Sequence, residues 1–331
     1  MLNFSIAEIL TDEKPNSYWK MLKEIGIKNI VGTLPRGWKD WRQSAEFKPW
    51  EYVPLARYRN MVKDSGFNLV AIEDNPPMSR IIFSQDGREE DIEKVTKLIE
   101  NMGKLGIGLW CYSWMGGVGW TRTFTHRSTD YGVASGFRIE DLKDAEPYPV
   151  RTTHSDLWNS LKWFLDRIIP VAEENNVRLA MHPDDPPVDE FLGIPRIMNS
   201  PESYDRLLRI NTSEYNGITL CQGNFTLMSE NLPEVIRHFG KKIFFVHFRD
   251  VLGSKEEFIE VPLGRGKTDL VKCMEAYSDT DFDGIMRVDH VPTLSGDDTD
   301  VPGYSYLNRL YAIGYINGLR DSVSKSREKG I

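Results

Sequence analysis

Only three cysteines occur in 331 residues: Cys111, Cys221 and Cys273. An odd, sparse set excludes a disulfide framework and fits a reducing compartment. Apolar runs are short. None approaches the roughly 18 residues that crossing a bilayer demands, so no membrane association is expected. The opening MLNFSIAEIL has no basic stretch ahead of an apolar one, which argues against a secretory signal and for the cytoplasm. Basic charge is in deficit, with 41 Lys and Arg against 49 Asp and Glu and a net charge of -8. A nucleic-acid partner is therefore not expected. No G-x-G-x-x-G follows the first apolar run, so an open dinucleotide-binding sheet lacks its main signature. Internal repeats and low-complexity segments are absent.

What is present is a regular alternation. Hydrophobic residues make up 40% of the chain, ample for a large core. Nine Trp, 13 Tyr and 15 Phe suit either the walls of a carbohydrate pocket or a bulky aromatic core. Eight short apolar runs, rich in β-branched and aromatic residues, predict strands at 3–6, 29–34, 69–73, 108–113, 178–182, 218–221, 243–247 and 284–289. The run KKIFFVHFRDV is nearly continuous, as in a parallel strand buried on both faces. Amphipathic helical patterns lie between the runs. SYWKMLKEIG ends on Gly26, a fitting C-cap. REEDIEKVTKLIENMGKLG begins acidic and ends basic, as the helix dipole favours. In SDLWNSLKWFLDRIIPVAEENN, Pro170 predicts a kink or break. Ser200 and Pro201 open another helix, and a last one is predicted over 306–323.

Eight strands alternating with helices predict an α/β protein, a (β/α)8 TIM barrel forming a single domain over 1–331. The longest irregular stretch, 114–153, follows the fourth strand, and a loop of that length reads as a lid. GVGW (117–120) and GRGK (264–267) read as ordinary loops.

The polar residues at the strand ends carry the chemistry. His182 ends LAMH, Cys221 ends ITLC, His247 ends FFVH and Asp289 ends IMRVD. These are four successive staves, and their C-terminal ends surround the barrel mouth that hosts active sites. Taken singly, each residue has an ordinary structural explanation: a hydrogen-bonded His, a packed Cys, a capping Asp. Cys111 and Cys273 read as packing. Four ligand types at one relative position on four successive strands point instead to a single divalent cation. A thiolate among the ligands would by itself favour Zn2+. Two anionic ligands leave such a site neutral overall and suited to an anionic substrate. Asp184 or Asp185, directly after His182, could orient its imidazole. Arg249 and Arg287 each share a strand face with a ligand and could clamp a substrate carboxylate or pair with a neighbouring acid. His290 and Tyr304 could serve as acid or base.

These strings together resemble the mannonate dehydratase family, within the xylose-isomerase-like group of TIM barrels. The matching stretches are CYSWMGGVGWTRT (111–123), HPDDPP with GIPRI (182–187 and 193–197), TLCQGN (219–224), VHFRDV (246–251), MRVDH (286–290) and PGYSYLNRLYAIGYINGL (302–319). AIEDNPP (71–77), which contains Glu73, is a weaker echo. The resemblance implies a hydro-lyase of hexuronate catabolism that converts D-mannonate to 2-keto-3-deoxy-D-gluconate. It implies one Mn2+ or Fe2+ per chain on His182, Cys221, His247 and Asp289, with His290 and Tyr304 as the catalytic pair. Glu73, Asp185, Arg249 and Arg287 are the candidates for holding the sugar acid. A homo-oligomer, dimer or tetramer, is the family habit. The chain departs from the pattern at Thr33-Leu34-Pro35, where a loop His is missing, at Gly119 and Val291, and ahead of Glu260, where a His is absent. Two other readings accompany this one. An isomerase or epimerase of the same superfamily would usually lack the thiolate. A non-catalytic sugar-acid-binding relative would bind without turnover.

Overall fold

The computed structural model describes residues 2–37, 46–297, 299 and 301–328. Eight strands close into a barrel: β1 (Ser5–Ile9), β2 (Asn29–Gly32), β3 (Asn68–Glu73), β4 (Leu109–Ser113), β5 (Arg178–His182), β6 (Asn216–Cys221), β7 (Ile243–Phe248) and β8 (Ile285–Val288). Every neighbouring pair is parallel, and β1 pairs with both β2 and β8. The open-sheet alternative is thereby excluded.

The sequence also shows why the helices form. Asn16 accepts from the Trp19 N–H at the start of Ser17–Glu24. Thr153 and Asp156 make a reciprocal capping box ahead of His154–Glu174. Ser200 caps Pro201–Ile210, with Pro at its first position. Pro170 does not break its helix, which runs from His154 to Glu174. The last helix, Tyr306–Glu328, is longer than its pattern suggests. Among the described residues, no helix is long and apolar enough to cross a membrane.

Two cores result. Helix faces and outward strand residues, including Leu161, Phe164, Leu220 and Val246, fill the annulus. A smaller cluster of Ala7, Ile9, Val31, Ala71, Leu109, Cys111, Ala180 and Phe245 plugs the barrel interior. The small Ala71, Cys111 and Ala180 leave room above them at the mouth.

The first strand lies later than the sequence suggests, at Ser5–Ile9 rather than 3–6. Glu8 looks like a strand terminator, yet it sits inside the strand, fully buried against Arg309 of the last helix. A partner 301 residues away in the chain makes the charge tolerable there.

The stretch 114–153 is only partly irregular. Phe124–Thr129 and Gly132–Arg138 form a hairpin that joins a four-stranded antiparallel sheet in the order 250–253, 257–261, 132–138, 124–129. Strand Asp250–Gly253 follows directly on β7, so this sheet is anchored beside the mouth. Gly136 is required at the crossing: a Cβ there would lie 2.4 Å from Phe258 O and 2.3 Å from the Phe124 ring.

Candidate functional site

Strand register places the site. Cys221 pairs with His247, and His247 pairs with Arg287. Residues paired across parallel strands project to one side, so these three side chains enter the barrel at one level. Asp289, two residues beyond Arg287, follows on the same side one step nearer the mouth. Ser113 pairs with His182, and Glu73 with Cys111.

The four expected ligands converge. His182, Cys221 and His247 offer donor atoms within 4.8 Å of one another. His182 Nε2 lies 3.2 Å from His247 Nδ1. Asp289 Oδ2 lies 3.4 Å from Cys221 Sγ and 3.9 Å from His247 Nδ1. Cys221 and His247 are fully buried, and Asp289 nearly so.

The tautomers test whether this set fits a cation. His182 Nδ1 sits 2.7 Å from the Pro183 carbonyl, which can only accept, so Nδ1 carries the proton and Nε2 the lone pair. His247 Nε2 has no well-angled hydrogen bond, but its neighbour at 3.2 Å is the Glu73 carboxylate, again an acceptor. That leaves the lone pair on Nδ1. Two imidazole lone pairs therefore face each other, with Arg287 Nη2 3.3 Å from His247 Nδ1, and a shared cation would satisfy both. Nitrogens bound at about 2.1 Å to one ion stand roughly 3 Å apart. The residues fit a single M2+.

Around this group lies a dense set of buried charges. Arg287 donates to Glu73 (2.8 and 2.5 Å) and to Asp289 Oδ1 (3.0 Å). Burial works to raise the Glu73 pKa, but Arg287 and His247 more than reverse it and hold the carboxyl well below its usual range. Asp289 is likewise depressed against burial, by His290, Arg287, Arg249 and His247. Cys111 is pushed well up by burial, so this thiol at the cavity floor stays neutral.

Sequence reasoning expected Asp184 or Asp185 to orient His182, and neither does. Asp184 accepts from the Met198 N–H (2.7 Å). Asp185 is clamped by Arg122 (2.6 and 3.0 Å) and Arg249 (3.0 Å). The Pro183 carbonyl takes the His182 proton because the chain turns there, bringing the backbone nearer than either side chain. Arg249 also lies elsewhere than a substrate clamp requires. It is fully buried and not among the cavity-lining residues, and it donates to Glu260 (2.7 Å), Asp185 and Asn224. Asp250, next to it in the chain, accepts backbone N–H groups of Gly264, Gly266 and Thr268, which ties down the GRGK loop.

The cavity, about 360 Å3, is lined by Glu73, Cys111, His182, Asp185, Arg287, Asp289, His290 and Tyr304, with Asp74, Asn75, Tyr112, Ser113, Met115, Gly119 and Trp120 completing the wall. His290 and Tyr304 face each other edge-on, ring centroids 5.2 Å apart. Burial raises the Tyr304 pKa, with Arg287 and Arg309 opposing and Asp289 and Glu73 adding, so the phenol stays protonated.

Sequence reasoning gave no role to Arg122, Glu260, Ser135, Asn224 or Trp120. Arg122 and Glu260 are buried and lie 138 residues apart in the chain, joined by bonds of 3.0 and 2.7 Å. Trp120 spans Arg122 (4.8 Å) and His290 (5.1 Å). The string GWTRT held two of these residues, but nothing local shows which acid its Arg meets.

Glu260 gives a pH expectation. Burial raises its pKa, and Arg122, His290 and Arg249 together overturn that shift, leaving it far below the usual range. A depressed carboxyl contributes its full stability above the unfolded value of about 4.3 and loses it as pH falls towards the folded value. Thermal stability should fall progressively below about pH 4.3, and Glu260→Gln should flatten that slope in melting curves. An unchanged slope in the variant would assign the acid sensitivity to other groups.

With this geometry in hand, comparison with known proteins is direct. The D-mannonate dehydratase (UxuA) family model matches residues 17–148 and 136–330. A mannonate dehydratase of Thermotoga neapolitana is 32% identical, covering 92% of this chain and 93% of its own. One from Oceanobacillus iheyensis is 31% identical over 83% of this chain and 86% of its own. The crystal structure of mannonate dehydratase from Streptococcus suis serotype 2 superposes with a TM-score of 0.88 at 28% identity, covering 100% of this chain and 95% of that one. An L-ribulose 3-epimerase structure (TM-score 0.64, 14% identity, 98% of this chain and 97% of that one) shares the fold.

Proposed function

Because the chain belongs to the D-mannonate dehydratase family, we propose that it is a hydro-lyase that removes water from D-mannonate to give 2-keto-3-deoxy-D-gluconate. The observation that carries this reading is the close approach of His182 Nε2 and His247 Nδ1 at 3.2 Å, with Cys221 and Asp289 beside them, next to a cavity lined by His182, Asp289, His290 and Tyr304.

His182, Cys221, His247 and Asp289 would hold one Mn2+ or Fe2+. When bound, that ion supplies Lewis-acid stabilisation of the charge that builds on the substrate carboxylate. The chain's own residues do the rest. Glu73 and Pro183 fix the imidazole tautomers. Arg287 lines the cavity and presents positive charge to an anionic substrate. Glu73 and Asp185, two acids of the wall, face the sugar hydroxyls. His290 takes the C2 proton, because one of its nitrogens is engaged by Glu260 and the other is left to the cavity. Tyr304, protonated through burial, gives its proton to the departing C3 hydroxyl, which leaves as water. The enol product tautomerises to the 2-keto acid, and proton return from His290 to Tyr304 resets the pair. Trp120 and the hairpin over 124–138 form a cap on one domain spanning 1–331. The cysteine-poor composition supports a cytoplasmic enzyme, and the resemblance to the family supports a homo-oligomer, dimer or tetramer.

Purified protein supplied with Mn2+ and D-mannonate should form a thiobarbituric-acid-reactive 2-keto-3-deoxy acid, and treatment with EDTA should abolish the activity. An isomerised or epimerised sugar without that product, or binding without turnover, would overturn the assignment.

A further inference from the structure

His290 works as a base only if its cavity-facing nitrogen carries a lone pair, and the surroundings of its other nitrogen decide this. Two groups meet His290 Nδ1. Glu260 Oε1 is 3.0 Å away and can only accept. Arg249 Nη1 is 3.1 Å away and can only donate. The first demands a proton on Nδ1 and leaves Nε2 free. The second demands the reverse and would place a proton on Nε2, where it blocks proton abstraction. Arg249 Nη1 also donates to Glu260 at 2.7 Å, its shorter contact, so one of its two hydrogens is directed to the carboxylate and the other remains to compete for His290.

We propose that Glu260, from the sheet packed beside the barrel, is the positioning residue that fixes His290 in the Nδ1–H tautomer, and that Arg249 would impose the opposite tautomer in its absence. This rests on the reading of His290 as the proton-abstracting group. The carboxylate is held from every side. Arg122 donates to Oε1 from Nε and Nη2 (3.0 and 2.7 Å), and Ser135 donates to Oε2 (2.5 Å). Glu260 is fully buried, and the His290 ring is wedged between Trp120 and Tyr304 at centroid distances of 5.1 and 5.2 Å. In this ring orientation the choice of tautomer falls to its Nδ1 partners. His290 Nε2 lies 3.6 Å from Asp289 Oδ1, beyond hydrogen-bond reach, and its ring lines the cavity. The strand carrying Glu260 pairs with the hairpin over 124–138, so that addition to the barrel gains a chemical purpose beyond covering the mouth.

The test compares Glu260→Ala, Glu260→Gln and Ser135→Ala with wild type and His290→Asn, all loaded with Mn2+. Glu260→Ala should lower kcat on the order of 10²–10³-fold, the range of general acid–base catalysis, with KM and metal content within a few-fold of wild type. Glu260→Gln keeps an acceptor and should recover most of that loss. Ser135→Ala should cost only a few-fold. In protein labelled with 15N-histidine and loaded with diamagnetic Zn2+, the signals missing from His290→Asn should report Nδ1–H in wild type and Glu260→Gln, and Nε2–H in Glu260→Ala. Should Glu260→Ala not fold, the wild-type and Gln spectra decide alone. Wild type carrying Nε2–H, or a folded Glu260→Ala with unchanged kcat, would overturn the proposal. Full activity in His290→Asn would instead remove the role given to His290 and leave the tautomer assignment standing.

Discussion

Replacing Cys221 with Ser is expected to leave a folded protein that no longer retains its metal after dialysis and turns over at least about 10³-fold more slowly. The magnitude follows from the several kcal/mol that a bound cation contributes to a transition state with charge on a carboxylate, at one decade per about 1.4 kcal/mol. Cys221 is fully buried, with Asp289 Oδ2 at 3.4 Å and Asn224 Oδ1 at 3.2 Å, so no water can replace the lost sulfur without displacing a neighbour. A neutral hydroxyl also leaves one negative charge fewer against the positive charges of Arg249, Arg287 and the ion. Metal analysis by mass spectrometry beside steady-state kinetics checks the result. Full metal content with wild-type turnover would remove Cys221 from the ligand set.

Arg249→Met should have the largest effect on stability. The side chain is fully buried and serves Asp185, Glu260 and Asp289 together. Removing one partner of a buried ion pair costs about 3–5 kcal/mol, because the charge left behind is desolvated and unanswered. Arg122 still holds Asp185 and Glu260, which keeps the loss within that range, while Asp289 retains Arg287. Urea denaturation of the metal-free proteins measures the difference. A loss under about 1 kcal/mol would show that water or rearrangement compensates these acids, and that Arg249 is not what orders them. The double variant with Glu260→Gln should lose less than the sum of the single losses, since the two residues share one bond.

The candidate ligand set was legible because the closed parallel sheet repeats one geometry. Each apolar run ends at the same height on the barrel, so strand order alone makes neighbours of the ligand-type residues at the ends of β5 to β8. Two of the four polar residues around them have ion-pair partners that the sequence does not show. Asp185 lines the cavity and pairs with Arg122 and Arg249, whereas Arg249 is not in the lining and pairs with Asp185 and Glu260. Ion pairing between residues remote in sequence leaves no periodic trace. The hairpin over 124–138 escaped for a similar reason. Its outer strand alternates exposed and half-buried residues without a strong apolar face, and its stability comes from pairing with residues 257–259.

The sequence by itself therefore determined the barrel, the mouth at which chemistry occurs and the four ligand candidates, because these depend on strand periodicity and on the order of elements along the chain. Only the tertiary structure decided which carboxylate answers which guanidinium, which nitrogen of each imidazole carries a proton, and that a strand outside the barrel reaches His290. Those outcomes rest on distances of about 3 Å between groups far apart along the chain, where burial makes each unpaired charge costly and so selects one arrangement.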